Sequence, residues 1–300
     1  MSVSPTGQST FSRRERVAGY VALTKPRIIE LLLVTTVPTM FVAERSVPSV
    51  WLMVATVVGG TLAAGGANAV NMVVDRDIDG LMERTMHRPL VRGVMSPRAA
   101  LAFAVVIEVV AFAWLFTTVN LLSALLAVSA TFFYVFVYTL WLKRTTTQNI
   151  VIGGAAGAIP PMVGWAAVTG SLDLPALYLF TIVFFWTPPH FWALALMIQD
   201  DYQQAGVPML PVVVGEERTS QNIFVYSLAL VALTLLFGTS DATGLVYLAS
   251  AAALGAIFIF LAWRLKLEYS IRRAKHLYLF SLLYLALLFS FMLADGVYRL

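Results

Sequence analysis

Nine apolar stretches dominate this chain of 300 residues, at roughly 28–43, 50–74, 98–117, 119–142, 149–169, 174–199, 220–238, 243–264 and 276–295. A helix needs about 20 apolar residues to cross the hydrocarbon core of a bilayer. A backbone in lipid must satisfy its own N–H and C=O groups, so such stretches cross as helices. The fold class expected is therefore all-α integral membrane, with nine transmembrane helices. Composition agrees: 59% of residues are apolar and 12% charged, against about 25% charged in soluble domains. The closest decision falls at Thr117–Asn120, where two runs nearly touch. Left whole, that run is about 45 residues long, too long for one crossing. The absence of cysteine excludes disulfides, thiolate metal sites and thiol nucleophiles.

Residues 1–26 form a polar N-terminal segment, and 27–300 are expected to be one membrane domain. The first apolar run, from Ile28, has no small-residue cleavage site and is expected to be retained as a helix. Charge placement orients the spans. Arg13, Arg14, Arg16, Lys25, Arg27, Arg76, Arg84, Arg88, Arg92, Arg98, Lys143, Arg144, Arg218, Arg264, Lys266, Arg272, Arg273 and Lys275 fall on one side. Only Arg45 and Arg299 fall on the other, so 18 of the 20 cationic residues share a face. The positive-inside rule makes that face cytoplasmic. The expectation is a cell-membrane protein with its N-terminus inside, its C-terminus outside and its polar machinery at the cytoplasmic face.

Two acidic clusters lie on that face. The first is Asn71, Asp75 and Asp79, with Asp77 and Glu83 nearby. The spacing i, i+4, i+8 puts the first three in one column, with successive Cβ atoms about 5–6 Å apart. Ala63 and Ala67 continue the column upstream with small side chains that allow close helix packing. Three oxygen-bearing groups in a column can seat Mg²⁺, which takes oxygen ligands and bridges to substrate phosphates. The second cluster, Asp200-Asp201-Tyr202, ends the sixth span on the same face. Solvated loop acids that end two helices are the alternative reading, although a loop has no reason to keep a helical period. Arg84, Arg88, Arg92, Lys143 and Arg144 lie beside the acids. Positive-inside topology explains each alone, while a diphosphate site needs some of them.

The sixth span contains Trp186-Thr-Pro-Pro189-His190-Phe191-Trp192. Its paired prolines free backbone carbonyls and predict a kink. His190 is an ionisable residue inside a span and so a functional candidate. It is a neutral histidine bonded to a freed carbonyl, a haem-iron ligand, or a base near the reaction centre. Phe184, Phe185, Trp186, Phe191 and Trp192 gather around it, either as packing or as an aromatic lining suited to an allylic cation. Glu30 and Glu108 also lie within or near spans. Glu108, at mid-span, has to be protonated, paired or cavity-facing.

Together these features resemble the UbiA superfamily of intramembrane prenyltransferases. The carriers are the Asn71/Asp75/Asp79 motif, the second acidic motif after the sixth span, and nine spans. Several stretches resemble its protohaem IX farnesyltransferase branch more specifically: Leu23-Thr-Lys-Pro-Arg-Ile28, Asp79–Met82 with Arg84-Thr85 and Arg88-Pro89-Leu90, Pro188–Ala195, and Asp201-Tyr202 running on to Ala205–Pro211. The superfamily's second motif commonly spaces two aspartates as D-x-x-x-D. Here Met197 stands four residues before Asp201, so Asp201 ranks above Asp200 as a ligand, and the departure fits the haem branch.

The resemblance implies a UbiA-type bundle that transfers a farnesyl group from farnesyl diphosphate to haem B, with water, giving haem O. It assigns Asn71, Asp75, Asp79 and Asp201 to catalysis. Metal binding goes to these four with Asp200, and substrate binding to Arg84, Arg88, Lys143, His190, Trp192 and Tyr202. Mg²⁺ is the implied cofactor, and haem B a substrate rather than a cofactor. Membrane lipid surrounds the chain, and no nucleic-acid partner is expected. Product hand-over to a haem A synthase or a terminal oxidase assembly is also implied. Two other readings stay open: a UbiA-type enzyme acting on an aromatic acid, and a transporter. Transporters place polar groups near the midplane within inverted repeats, whereas most acids here lie at one face.

Overall fold

The structure, a computed structural model, describes residues 11–298, without the side chains of 27–33 and 297–298. The chain runs through α1 (Arg13–Leu23), α2 (Pro26–Glu44), α3 (Val50–Val74), the short α4 (Arg76–Asp79), α5 (Pro97–Thr118) and α6 (Leu121–Phe132). A π-helix (Phe133–Leu142) follows, then α7 (Lys143–Thr145), α8 (Asn149–Thr169) and α9 (Leu174–Met197). The chain continues through α10 (Gln199–Gln204), α11 (Leu210–Phe237), α12 (Leu245–Leu267) and α13 (Ile271–Tyr298). Among the described residues, eight helices are long and apolar enough to cross a membrane. The 19-residue α2 occupies the place of the first expected span and is not one of these eight, so the count comes close to the nine expected.

The junction near Thr117–Asn120 breaks as expected. The Asn120 side chain accepts from the Ser123 N–H at 2.8 Å and starts α6. Its amide also donates to the Ala166 carbonyl at 2.7 Å, tying α6 to the end of α8.

Three features depart from the sequence expectation. First, α1 lies within the segment expected only to be polar. Its Ser12–Glu15 capping box starts the helix, and Leu23 is buried among Ala69, Met72, Leu90 and Ala104. Second, α11 begins at Leu210 rather than near 220, with Pro211 in its first turn. Gly215, at φ 77°, breaks it into two segments, a conformation that glycine adopts without steric cost. Third, residues 133–142 wind as a π-helix, which shifts side-chain register relative to an α-helix.

The main packing partners are α3 with α5, α8 with α9, α9 with α11, α2 with α8 and α12 with α13. Small residues permit the closest approaches. A Cβ on Gly164 would lie 2.5 Å from the Thr36 carbonyl oxygen of α2. The Ala63 and Ala67 face is buried as expected, with Ala63 against Ala111, Leu115 and Ala124. Glu108 finds its partner across helices: the Thr131 hydroxyl donates to its carboxyl at 3.1 Å. The Glu30 side chain lies outside the described residues.

The helix ends define two faces. At one end the 75–85 loop meets Lys143 and Asp201, and the Tyr269 hydroxyl donates to the Leu196 carbonyl at 3.3 Å. At the other, Asn120 meets Ala166, and Asp295 accepts from the N–H groups of Gly244, at the N-cap of α12, and Tyr247 in its first turn.

Candidate active site

The helical column survives the end of α3. The Asp75 N–H donates to the Asn71 carbonyl at 2.9 Å, and the Asp79 N–H to the Asp75 carbonyl at 2.8 Å. The three side chains therefore stay on one inward face, at 3%, 0% and 2% exposure for Asn71, Asp75 and Asp79. Asp77 points away from that face: its side chain is 59% exposed, against 1% for Asp75.

Each buried acid has cationic partners. Lys143 Nζ forms an ion pair with Asp75 Oδ2. One Arg88 nitrogen reaches both oxygens of Asp79, at 2.7 and 2.6 Å. Asn71 links the group laterally, with Nδ2 donating to Asp75 Oδ2 at 2.7 Å and to the Thr139 hydroxyl at 3.1 Å. On its other side Lys25 Nζ donates to Asn71 Oδ1 at 2.7 Å. Burial pushes the Lys25 ammonium down to about 7, assisted by the charges of Arg88 and Lys143. Arg144 grips Asp77 with two 2.8 Å bonds. That guanidinium holds the Asp77 carboxyl down at about 2.

Two of these contacts escaped sequence reasoning. Lys25 adopts left-handed backbone geometry, φ 50° and ψ 62°, at the start of α2. This turn sets its side chain against Asn71, and the only sequence signal was its place in the Leu23–Ile28 stretch. Thr139 donates to the carbonyl five residues back, Tyr134, at 2.8 Å. That is π-helix spacing, which an α-helical register does not anticipate.

The second acidic cluster meets the first through backbone. Asp201 accepts from the N–H groups of Glu83 and Arg84 at 3.4 and 3.5 Å. Asp200 is exposed and takes no part in these bonds. Tyr202 is buried at the same place. Burial raises its hydroxyl pKa, and the neighbouring Arg84 opposes the shift. Arg84 itself is exposed.

The sixth-span residues occupy other faces. Helix α9 runs unbroken through Pro188 and Pro189. The His190 ring lies between Trp186, 4.4 Å away, and Tyr278, 4.8 Å away, both stacked. Its Nδ1 is 2.7 Å from the Ser281 hydroxyl of α13, a side-chain partner in place of the freed carbonyl. Among the described residues, Nε2 has no hydrogen-bond partner. Trp192 packs edge-on against Tyr226 of α11. Among the described residues, the hydrogen bonds and ring contacts of His190 and Trp192 lie away from the Asp75–Lys143 group.

Asp75 Oδ1 is buried without a hydrogen bond, and Arg144 approaches it only to 3.7 Å. Among the described residues no three His, Cys, Asp or Glu side chains converge as a metal cage. That combination fits Mg²⁺, which is commonly held by one or two carboxylates with substrate phosphates completing its shell.

A bundle of membrane-crossing helices, with buried carboxylates and cations concentrated at one end, defines an integral-membrane protein suited to a phosphorylated substrate. The UbiA prenyltransferase family profile matches residues 32–290. Protoheme IX farnesyltransferase 1 of Saccharopolyspora erythraea is 55% identical over 95% of this chain and 91% of its own. Protoheme IX farnesyltransferase of Gloeobacter violaceus is 53% identical over 93% and 92%. The chain belongs to the UbiA prenyltransferase family and, within it, to the protoheme IX farnesyltransferase branch. The fold matches a digeranylgeranylglyceryl phosphate synthase with a TM-score of 0.78, at 16% identity over 95% and 99% of the two chains. It also matches a UbiA homologue from Archaeoglobus fulgidus bound to GPP and Mg²⁺, with a TM-score of 0.60 at 16% identity over 91% and 99%.

Proposed function

We propose that this enzyme transfers the farnesyl group of farnesyl diphosphate to a vinyl group of haem B, with addition of water, giving haem O and diphosphate. The observation that carries the reading is the buried Asn71–Asp75–Asp79 column ringed by Lys25, Arg88 and Lys143, in a chain 55% identical to a protoheme IX farnesyltransferase.

The chemistry makes definite demands. The C1–oxygen bond of the prenyl donor breaks and its electron pair leaves with diphosphate. The vinyl group supplies the pair for the new carbon–C1 bond, and water adds to the resulting cation with loss of a proton. Lys143, Arg88 and Arg84 bind and neutralise diphosphate oxygens, a role suited to Lys as a point charge and Arg as a fork. Asp75, through its Oδ1, with Asn71, Asp79 and Asp201, would hold Mg²⁺; Asp200 ranks below Asp201. When bound, the metal stabilises negative charge on the departing diphosphate. Apolar helix faces exclude bulk water from the prenyl chain. His190, Trp192 and Tyr202 contact substrate, with His190 and Trp192 on the acceptor side.

The protein sits in the cell membrane with its N-terminus and active site on the cytoplasmic side and its C-terminus outside. Residues 27–300 form one membrane domain. Residues 1–26 form a cytoplasmic segment that includes α1, its first ten residues lying outside those described. Haem O is handed on to a haem A synthase or to oxidase assembly.

Haems extracted from membranes with and without the protein test the activity by absorption and mass. Haem O in the first and haem B alone in the second is the expected result. Identical haem profiles from both membranes would contradict the proposal.

A further inference from the structure

Asn149 is completely buried, yet neither its Oδ1 nor its Nδ2 has a hydrogen-bond partner. Both ends of the amide are unpaired, the donor Nδ2 and the acceptor Oδ1 alike. A buried amide without partners is costly, which makes a bound group a candidate partner for it. The position narrows what that group is. Asn149 is the first residue of the 21-residue α8, and Gln148, at the N-cap, gives no side-chain bond to the first turn. The opening N–H groups of a helix lack intrahelical acceptors and carry the positive end of its dipole. The Asn149 N–H reaches the Thr146 carbonyl only at 3.4 Å.

This helix end belongs to the charged face. Gly153, one turn along the same side of α8, lies against the Tyr138 ring: a Cβ there would come within 2.3 Å of it. Tyr138 is part of the π-helix that brings Thr139 to Asn71 and leads into Lys143 at Asp75. Asn149 is thus beside the helix that carries two partners of the acidic column.

We propose that Asn149 and the uncapped first turn of α8 form a subsite for an anionic oxygen of a bound substrate. The amide donates through Nδ2, the first-turn N–H groups donate beside it, and the dipole favours negative charge. Two substrates in the proposed reaction carry such oxygens, as phosphate on the prenyl donor and as carboxylate on the porphyrin acceptor. The inference therefore rests on the proposed function for its choice of ligands, but not for the existence of the subsite.

The test is equilibrium binding to the full-length protein in detergent with Mg²⁺, comparing wild type with Asn149→Ala and Asn149→Asp. The ligands are a non-reactive farnesyl thiolodiphosphate, haem B and haem B dimethyl ester. Asn149→Asp preserves shape but sets a carboxylate against the anion. It is expected to weaken one ligand by roughly tenfold or more, with a smaller loss for Asn149→Ala. Loss confined to the thiolodiphosphate assigns the oxygen to phosphate. Loss confined to haem B, with the dimethyl ester unaffected, assigns it to carboxylate. Unchanged affinities for every ligand in both variants would overturn the proposal and leave the amide to buried water. Should Asn149→Asp fail to fold, Asn149→Ala decides alone by the same criteria. Asn149-dependent thiolodiphosphate binding by a protein that ignores haem would support the subsite while removing the haem acceptor.

Discussion

Half-buried Lys143, just past the π-helix, forms an ion pair with buried Asp75, just past α3. Among the described residues the second oxygen of Asp75 has no hydrogen bond, only the longer 3.7 Å ion pair with Arg144. Such a pair is poorly explained as a stabilising device, because desolvation offsets most of its Coulombic gain. It is better explained as a half-assembled site, in which one carboxylate oxygen is held and the other offered.

Asp75→Asn is expected to abolish turnover while the protein still inserts and folds. Loss of a charge that bridges the diphosphate costs several kcal/mol at the transition state, roughly a thousandfold or more in rate. Asp77→Asn serves as the comparison, since Asp77 points outward to Arg144. Steady-state rates for the two variants check this, and equal damage at both positions would remove the column from the argument.

Arg88 separates stability from catalysis. Arg88→Ala strands a buried Asp79 carboxylate and is expected to lower stability by about 3–5 kcal/mol. Adding Asp79→Asn removes the stranded charge, so the double variant should recover much of the thermal midpoint yet remain inactive. A double variant as unstable as Arg88→Ala would mean that the pair has no special role in folding.

His190 offers one free nitrogen, since Nδ1 is engaged by Ser281 and Trp186 and Tyr278 stack on its ring. His190→Ala is expected to weaken haem B binding by about tenfold, the scale of one lost hydrogen bond or ligand contact. Diphosphate binding should be unaffected, because the described partners of His190 are Ser281, Trp186, Phe191 and Tyr278 rather than the acidic column. Haem titration monitored by absorption measures this. Unaltered haem affinity would make His190 a packing residue.

Orientation can be tested with single cysteines, because the chain has none of its own. Glu217→Cys is expected to react with an impermeant maleimide only from the cytoplasmic side, and Thr239→Cys only from outside. Both positions are exposed. Labelling in the reverse sense would invert the topology and move the active site to the opposite face.

The apolar runs and the Asn71/Asp75/Asp79 spacing were legible in the sequence because each is a local, periodic signal. Span boundaries held at Thr117–Asn120 because Asn120 is both a cap and a tether. The start of α11 was missed, since Gly215 and Pro211 signal a break without saying that helix lies on both sides of it. Helix α1 was missed because its charged residues outweighed the Gly19 and Leu23 contacts that fix it to the bundle. Lys25 and Thr139 were hidden for another reason. A left-handed turn brings the first to Asn71, and a π-helical register the second. Neither conformation leaves a pattern that periodicity can detect. The unsatisfied Asn149 is a tertiary fact altogether, visible only when its surroundings are known.

The most direct test of the central claim is the reaction in purified form. Protein supplied with Mg²⁺, farnesyl diphosphate and haem B should yield a haem heavier by one farnesyl group plus water. 4-Hydroxybenzoate in place of haem should give no prenylated product. A prenylated benzoate in the same assay, with haem B recovered unchanged, would contradict the haem assignment.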